Sequence, residues 1–193
     1  PPPECPLVPC TYVFRTWSHR FRRAERHLVL LRLAGAGPNL RADGGDRARP
    51  LTEKGVQQAT TVGRQLALLA PDTPMEILCS PALRTQQTAA AVLEILPAAT
   101  DPVFEDLIYG ATVDDLYGLI HAVSEDIQSV IVIGHNPTIG ALAYELLGPA
   151  IHIPAFSNLR NGYNPASMTI FRTEALWHDI RPSTVQAELL ITP

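Results

Sequence analysis

The run Ser129-Val-Ile-Val-Ile-Gly134 constrains this chain more than any other segment. β-branched apolar residues in sequence favour extended backbone, and a strand apolar on both sides must be covered on both faces. Gly134-His135-Asn136-Pro137 follows at once, and Pro137 suits the first turn of a helix running to about Leu147. A buried strand, a tight turn and a helix form one unit of an α/β sheet.

Similar units lie upstream. His27-Leu-Val-Leu-Leu-Arg32 reads as a buried strand, and Leu33 to Arg49, rich in Gly, Asp, Pro and Arg, as a long loop. A helix is predicted from about Thr52 to Leu69, with Val56, Ala59, Gly63, Leu66 and Ala70 on one face. Glu76-Ile-Leu-Cys79 is a second strand, and Ala82 to Ile95 a helix that stops before Pro97. Pro102 to Glu105 reads as a short strand, Val113 to Val123 as a helix and Ile151 to Pro165 as a loop. Ser167 to Arg172 and Gln186 to Ile191 are late strands. The expected fold class is α/β: a three-layer α/β/α sandwich around a mostly parallel central sheet.

The chain has 193 residues, enough for one well-buried core and short for two ordinary domains. Residues 1–26 differ in texture: prolines crowd Pro1 to Pro9, then Arg15, Arg20, Arg22 and Arg23 alternate with Tyr12, Phe14, Trp17 and Phe21. This arm is read either as a poorly ordered tail or as a basic segment touching an acidic partner or a membrane surface. The folded domain is expected over residues 27–193. A formal net charge of −4 speaks against wholesale nucleic-acid binding. No apolar run has the roughly 18 residues of a membrane span, and the start has no signal-peptide texture. Because the chain opens on proline, it reads as processed or truncated. Cys5, Cys10 and Cys79 form no disulfide framework, so a cytoplasmic location is expected. The scattered histidines have no metal-ligand spacing, and neither metal nor cofactor is expected.

Ligands of such sheets gather at the carboxyl ends of the strands. Arg32 ends the first strand, Ser80-Pro-Ala-Leu-Arg84 follows the second, and His135 follows the strand at Ser129 to Ile133. Each alone has a plain structural reading: a solvated charge, an exposed helix residue, a packed or capping histidine. Together, two arginines and a histidine on strand-to-helix turns of one sheet edge suit a phosphoryl group. Guanidinium forks match phosphate oxygens in pairs, and backbone N–H groups at the helix start after His135 favour an anion.

Arg32, Ser80-Pro-Ala-Leu-Arg84 with Gln86-Gln-Thr-Ala89, and Gly134-His-Asn-Pro137 resemble the histidine phosphatases, the phosphoglycerate-mutase-like fold. Asp46-Arg-Ala-Arg-Pro-Leu-Thr52 with Gly55, Tyr109-Gly-Ala and the Trp177 segment resemble the small phosphohistidine phosphatases of SixA type. The resemblance covers about His27 to Pro193. It implies phosphatase (hydrolase) chemistry on a phosphorylated protein carrying phosphohistidine, or on a small phosphate ester. It implies that Arg32, Arg84 and His135 hold phosphoryl oxygens, with Asn39 and Asn136 as further phosphate contacts.

In that family a histidine directly after the first arginine attacks phosphorus. That position is Leu33 here, which has no lone pair to attack with. Losing a nucleophile costs a well-studied hydrolase about a millionfold in turnover, on the order of 8 kcal/mol of barrier. The expected result is an inactive or strongly impaired phosphatase, or a pseudoenzyme that binds a phosphorylated ligand without hydrolysing it. A scaffold without phosphate binding is the third possibility. Cys79 is considered as a substitute attacker, although its spacing to Arg84 is one residue short of a cysteine-phosphatase loop. Glu105 is the candidate general acid; the plain alternative is a surface carboxylate.

Overall fold

Successive residues of the first strand face opposite cores. The computed structural model describes residues 25–38, 45–69, 73–96 and 100–193, without the side chains of 157, 158, 160 and 161. The strands are β1 (Arg26–Arg32), β2 (Met75–Cys79), β3 (Val103–Phe104), β4 (Ser129–Gly134), β5 (Met168–Thr173) and β6 (Gln186–Ile191). The helices are α1 (Glu53–Leu69), α2 (Leu83–Leu93), α3 (Val113–His121) and α4 (Thr138–Leu147). Leu28 and Leu30 of β1 join Val130 and Val132 of β4 in the core covered by α3 and α4. Val29 and Leu31, with Ile131 and Ile133, enter the second core under α1 and α2. This side-to-side alternation of strand residues produces the three layers.

The sheet order is β3-β2-β4-β1-β5-β6. β1, β2, β3 and β4 run parallel to one another, whereas β5 lies antiparallel to β1 and β6 antiparallel to β5. The segment predicted as a loop between Ile151 and Pro165 contains 3-10 turns at Gly148–His152 and Pro154–Asn161.

One predicted face needs correction. α1 buries Gly55, Ala59, Val62, Gly63 and Leu66, while Val56 is 47% exposed; Ala70 lies outside the described residues. Gly55 sets the rotation of the helix. A Cβ there would sit 2.0 Å from the Gly35 carbonyl oxygen, so only glycine lets α1 approach the loop after β1 this closely. With Gly55 facing inward, Val56 turns to the rim. Thr52 reinforces the contact: its N–H donates to the Gly35 carbonyl at 2.9 Å, and its hydroxyl accepts from Gly55 N at 3.0 Å.

Candidate functional site

Strand ends and loop contacts place Arg32, Leu33, Arg84, His135 and Asn136 around one cleft of about 290 Å³. Its lining includes Arg32, Leu33, Ala34, Arg49, Arg84, His135 and Asn136. Arg32 is the last residue of β1, paired with Gly134 at the end of β4. His135 therefore emerges next to Arg32 because the two central strands end in register. Arg84 comes from the first turn of α2 and is 5% exposed.

A buried cation at a helix N-terminus faces an unfavourable dipole and needs a partner. Asp46 supplies it. Arg84 donates to the Asp46 backbone carbonyl, and its Nη2 lies 2.8 Å from the Asp46 carboxylate. The same carboxylate oxygen accepts from the Tyr109 hydroxyl at 2.8 Å, and Arg49 Nε approaches the other at 3.3 Å. The Tyr109 hydrogen bond, with Arg84 and Arg49 adding to it, holds the Asp46 carboxyl below its ordinary range, against an upward push from partial burial. Arg47 stacks over the Tyr109 ring at 4.3 Å and pairs with Asp106 at 2.9 Å.

His135 is fixed at both ring nitrogens. Its Nε2 lies 2.7 Å from Ser80 Oγ and its Nδ1 3.4 Å from Arg84 Nη2. Burial, and then the positive charge of Arg84, lower its pKa to about 4, so the ring is neutral near pH 7 in the ligand-free cleft. Tyr109 meets it edge-on at 5.3 Å.

Arg32 donates to the Tyr163 backbone carbonyl, which also accepts from Asn136 Nδ2 at 2.8 Å. Tyr163 itself is buried, and its hydroxyl donates to the Leu30 carbonyl at 2.7 Å. Burial lowers the Arg32 pKa, which makes a nearby anion more welcome. The Nε of Arg32 is buried and lacks a hydrogen-bond partner, whereas that of Arg49 makes no hydrogen bond but faces the Asp46 carboxylate. Buried N–H groups without a partner are uncommon and suit a ligand acceptor.

Leu33 N–H donates to the Gly134 carbonyl and its carbonyl accepts from Ala166 N, both at 3.0 Å, so its backbone is clamped in the wall of the cleft. Cys79 is fully buried, its thiol is pushed up to about 12 by burial, and it is not among the cleft residues. It is a poor attacker there. Glu105 also lies outside the cleft lining; its N–H ties β3 to β2 through the Cys79 carbonyl at 2.9 Å. Asn39 and residues 1–24 lie outside the described residues, so this covers most of the predicted arm. Among the described residues no cluster of potential metal ligands is present, and no helix is long and apolar enough to cross a membrane. Asp46, Arg49, Ser80 and Tyr109 carry no individual role in the sequence alone. Their signal was membership in the motifs, not residue type.

The profile of the histidine phosphatase superfamily (branch 1) matches residues 37–117. The structure of SixA from Nakamurella multipartitia superposes with a TM-score of 0.74 at 32% identity, covering 88% of this chain and 96% of that one. The chain belongs to the histidine phosphatase superfamily. SixA of Agrobacterium tumefaciens is similar at 27% identity and a TM-score of 0.70, over 87% of this chain and 98% of that one. Phosphoglycerate mutase from Plasmodium falciparum shares the fold alone, with 20% identity, a TM-score of 0.53 and coverage of 86% and 89%. An uncharacterized protein of Mycobacterium tuberculosis is 27% identical over 138 residues, 71% of this chain and 84% of that protein. The phosphoglycerate-mutase-like α/β fold expected from the sequence is thereby borne out, as is the likeness to SixA-type histidine phosphatases.

Proposed function

We propose that the cleft receives a phosphoryl group and that this histidine phosphatase homologue hydrolyses it slowly or not at all. The observation that carries this is the meeting of Arg32, Arg84 and His135 in one cleft whose lining also includes Leu33. Three guanidinium groups, counting Arg49, offer paired donors for a tetrahedral anion. Leu33 occupies the position from which the family nucleophile would attack, and its branched side chain offers neither lone pair nor proton. The ligand class is a phosphorylated protein, such as one carrying phosphohistidine, or a small phosphate ester. A cytoplasmic setting fits such a ligand. Asn136 lends an exposed edge to the cleft, although its amide donor is committed to Tyr163.

The decisive experiment is Leu33→His. An imidazole there would form a bond to phosphorus as the leaving group departs, and water would then release phosphate. Activity on p-nitrophenyl phosphate and on a phosphohistidine substrate should rise by about three orders of magnitude or more, within the about millionfold effect of a nucleophile. A folded Leu33→His protein that stays silent on both substrates overturns the nucleophile assignment. Inorganic phosphate binding by the unaltered chain, abolished in Arg84→Ala, separates a phosphate-binding protein from a bare scaffold.

A further inference from the structure

We infer that Ser80 is a positioning residue: its buried hydroxyl holds the His135 ring so that Nδ1 faces the cleft arginine. This rests on the phosphoryl-cleft reading above. Arginine side chains only donate, so the Nδ1 atom 3.4 Å from Arg84 Nη2 must offer its lone pair. The proton of the neutral ring then sits on Nε2 and points at Ser80 Oγ, 2.7 Å away. The opposite tautomer would set an Nδ1–H against an arginine N–H, two donors without an acceptor.

Ser80 is well placed for this task. It is fully buried at the end of β2. Its N–H donates to the Ile133 carbonyl at 3.1 Å, tying it to β4 just before His135. Its carbonyl accepts from the Thr85 hydroxyl at 2.7 Å and from the Cys79 thiol at 3.3 Å. The backbone is held on both sides, which fixes the point from which Oγ reaches the ring. Around the ring stand Arg84, Asp46 and Arg49 as charged groups, with Tyr109 at its edge.

The consequence concerns ligand entry. When a phosphoryl dianion draws Arg84 toward itself, Nδ1 can take a proton and donate to an oxygen. Nε2–H keeps its bond to Ser80 throughout, so the ring gains charge without turning. An acceptor that serves both protonation states preorganises the site.

The test follows the ring protons by 15N–1H NMR and phosphate affinity by calorimetry, in the unaltered chain, Ser80→Ala and Ser80→Thr. In the ligand-free chain His135 should carry its proton on Nε2, with a slowly exchanging signal. Ser80→Ala should lose that protected signal and weaken inorganic phosphate binding about tenfold, and Ser80→Thr should restore both. A proton found on Nδ1 in the unaltered chain overturns the inference, as does an unchanged protected signal or phosphate affinity in Ser80→Ala. If the unaltered chain takes up no phosphate at all, the phosphoryl-cleft reading falls, and the ring-proton measurement still decides the role of Ser80.

Discussion

The Asp46 carboxylate holds the Arg84 guanidinium at 2.8 Å, beside the space where a phosphoryl oxygen would sit. One anion thus keeps in place the donor proposed for another. Asp46→Asn retains an acceptor for Arg84 and Tyr109 but removes the negative charge. Two like charges several Å apart near a surface repel by about 1–3 kcal/mol. Inorganic phosphate should therefore bind at least about fivefold more tightly to Asp46→Asn. Weaker binding in a calorimetric titration would mean that the carboxylate contributes more by orienting Arg84 than it subtracts by repulsion.

His135 makes binding sensitive to pH. Burial and Arg84 depress its pKa to about 4 in the empty cleft, and a bound dianion next to Nδ1 should raise it. Binding of sulfate, a tetrahedral dianion that does not itself titrate near pH 6, should then take up a proton. The binding enthalpy should vary with the ionisation enthalpy of the buffer, and this variation should disappear in His135→Asn.

The same shift bears on stability. The unfolded chain binds a proton at His135 near pH 6.5, whereas the folded chain does so only near about 4. Between these values the unfolded state holds more protons, so stability rises with pH across the window and is lost as pH falls through it. Melting temperatures from pH 7 to pH 4.5 should decline less steeply in His135→Asn than in the unaltered chain.

Gly55 should tolerate no side chain. Alanine would set its Cβ 2.0 Å from the Gly35 carbonyl oxygen, which is backbone and cannot swing aside. Gly55→Ala should destabilise the fold by about 3 kcal/mol in denaturant unfolding, at the upper end of overpacking effects. Val56→Ala, on the exposed side of the same helix, should stay within about 0.5 kcal/mol.

Arg32→Lys tests the fork rather than the charge. The guanidinium reaches Tyr163 with one nitrogen and leaves a buried Nε unpartnered. A lysine keeps the positive charge but not the paired planar donors. Phosphate affinity should fall about tenfold with little change in folding stability; retained affinity would reduce Arg32 to a point charge.

Much of this architecture was legible in the residues. Apolar runs bounded by glycine, proline and charge marked β1, β2 and β4, and what followed each run marked the cleft. Arg32, Arg84 and His135 could be found because strand ends carry chemistry in such sheets. The reversed direction of β5 could not, because strand polarity depends on how distant segments meet and leaves no local pattern. Val56 was misplaced for a related reason: helical spacing admits neighbouring faces, and the close approach of Gly55 to Gly35 chose between them. Asp46 and Ser80 were visible as members of motifs, yet their partners lie 38 and 55 residues away in sequence. Only the folded chain shows which donor meets which acceptor.

Tyr163 spans the distance from interior to opening: its hydroxyl is tied to the first strand and its carbonyl steadies both Arg32 and Asn136. The mouth of the cleft therefore inherits the rigidity of the sheet. Damage deep beneath it, at a position no ligand touches, would surface as blurred anion recognition.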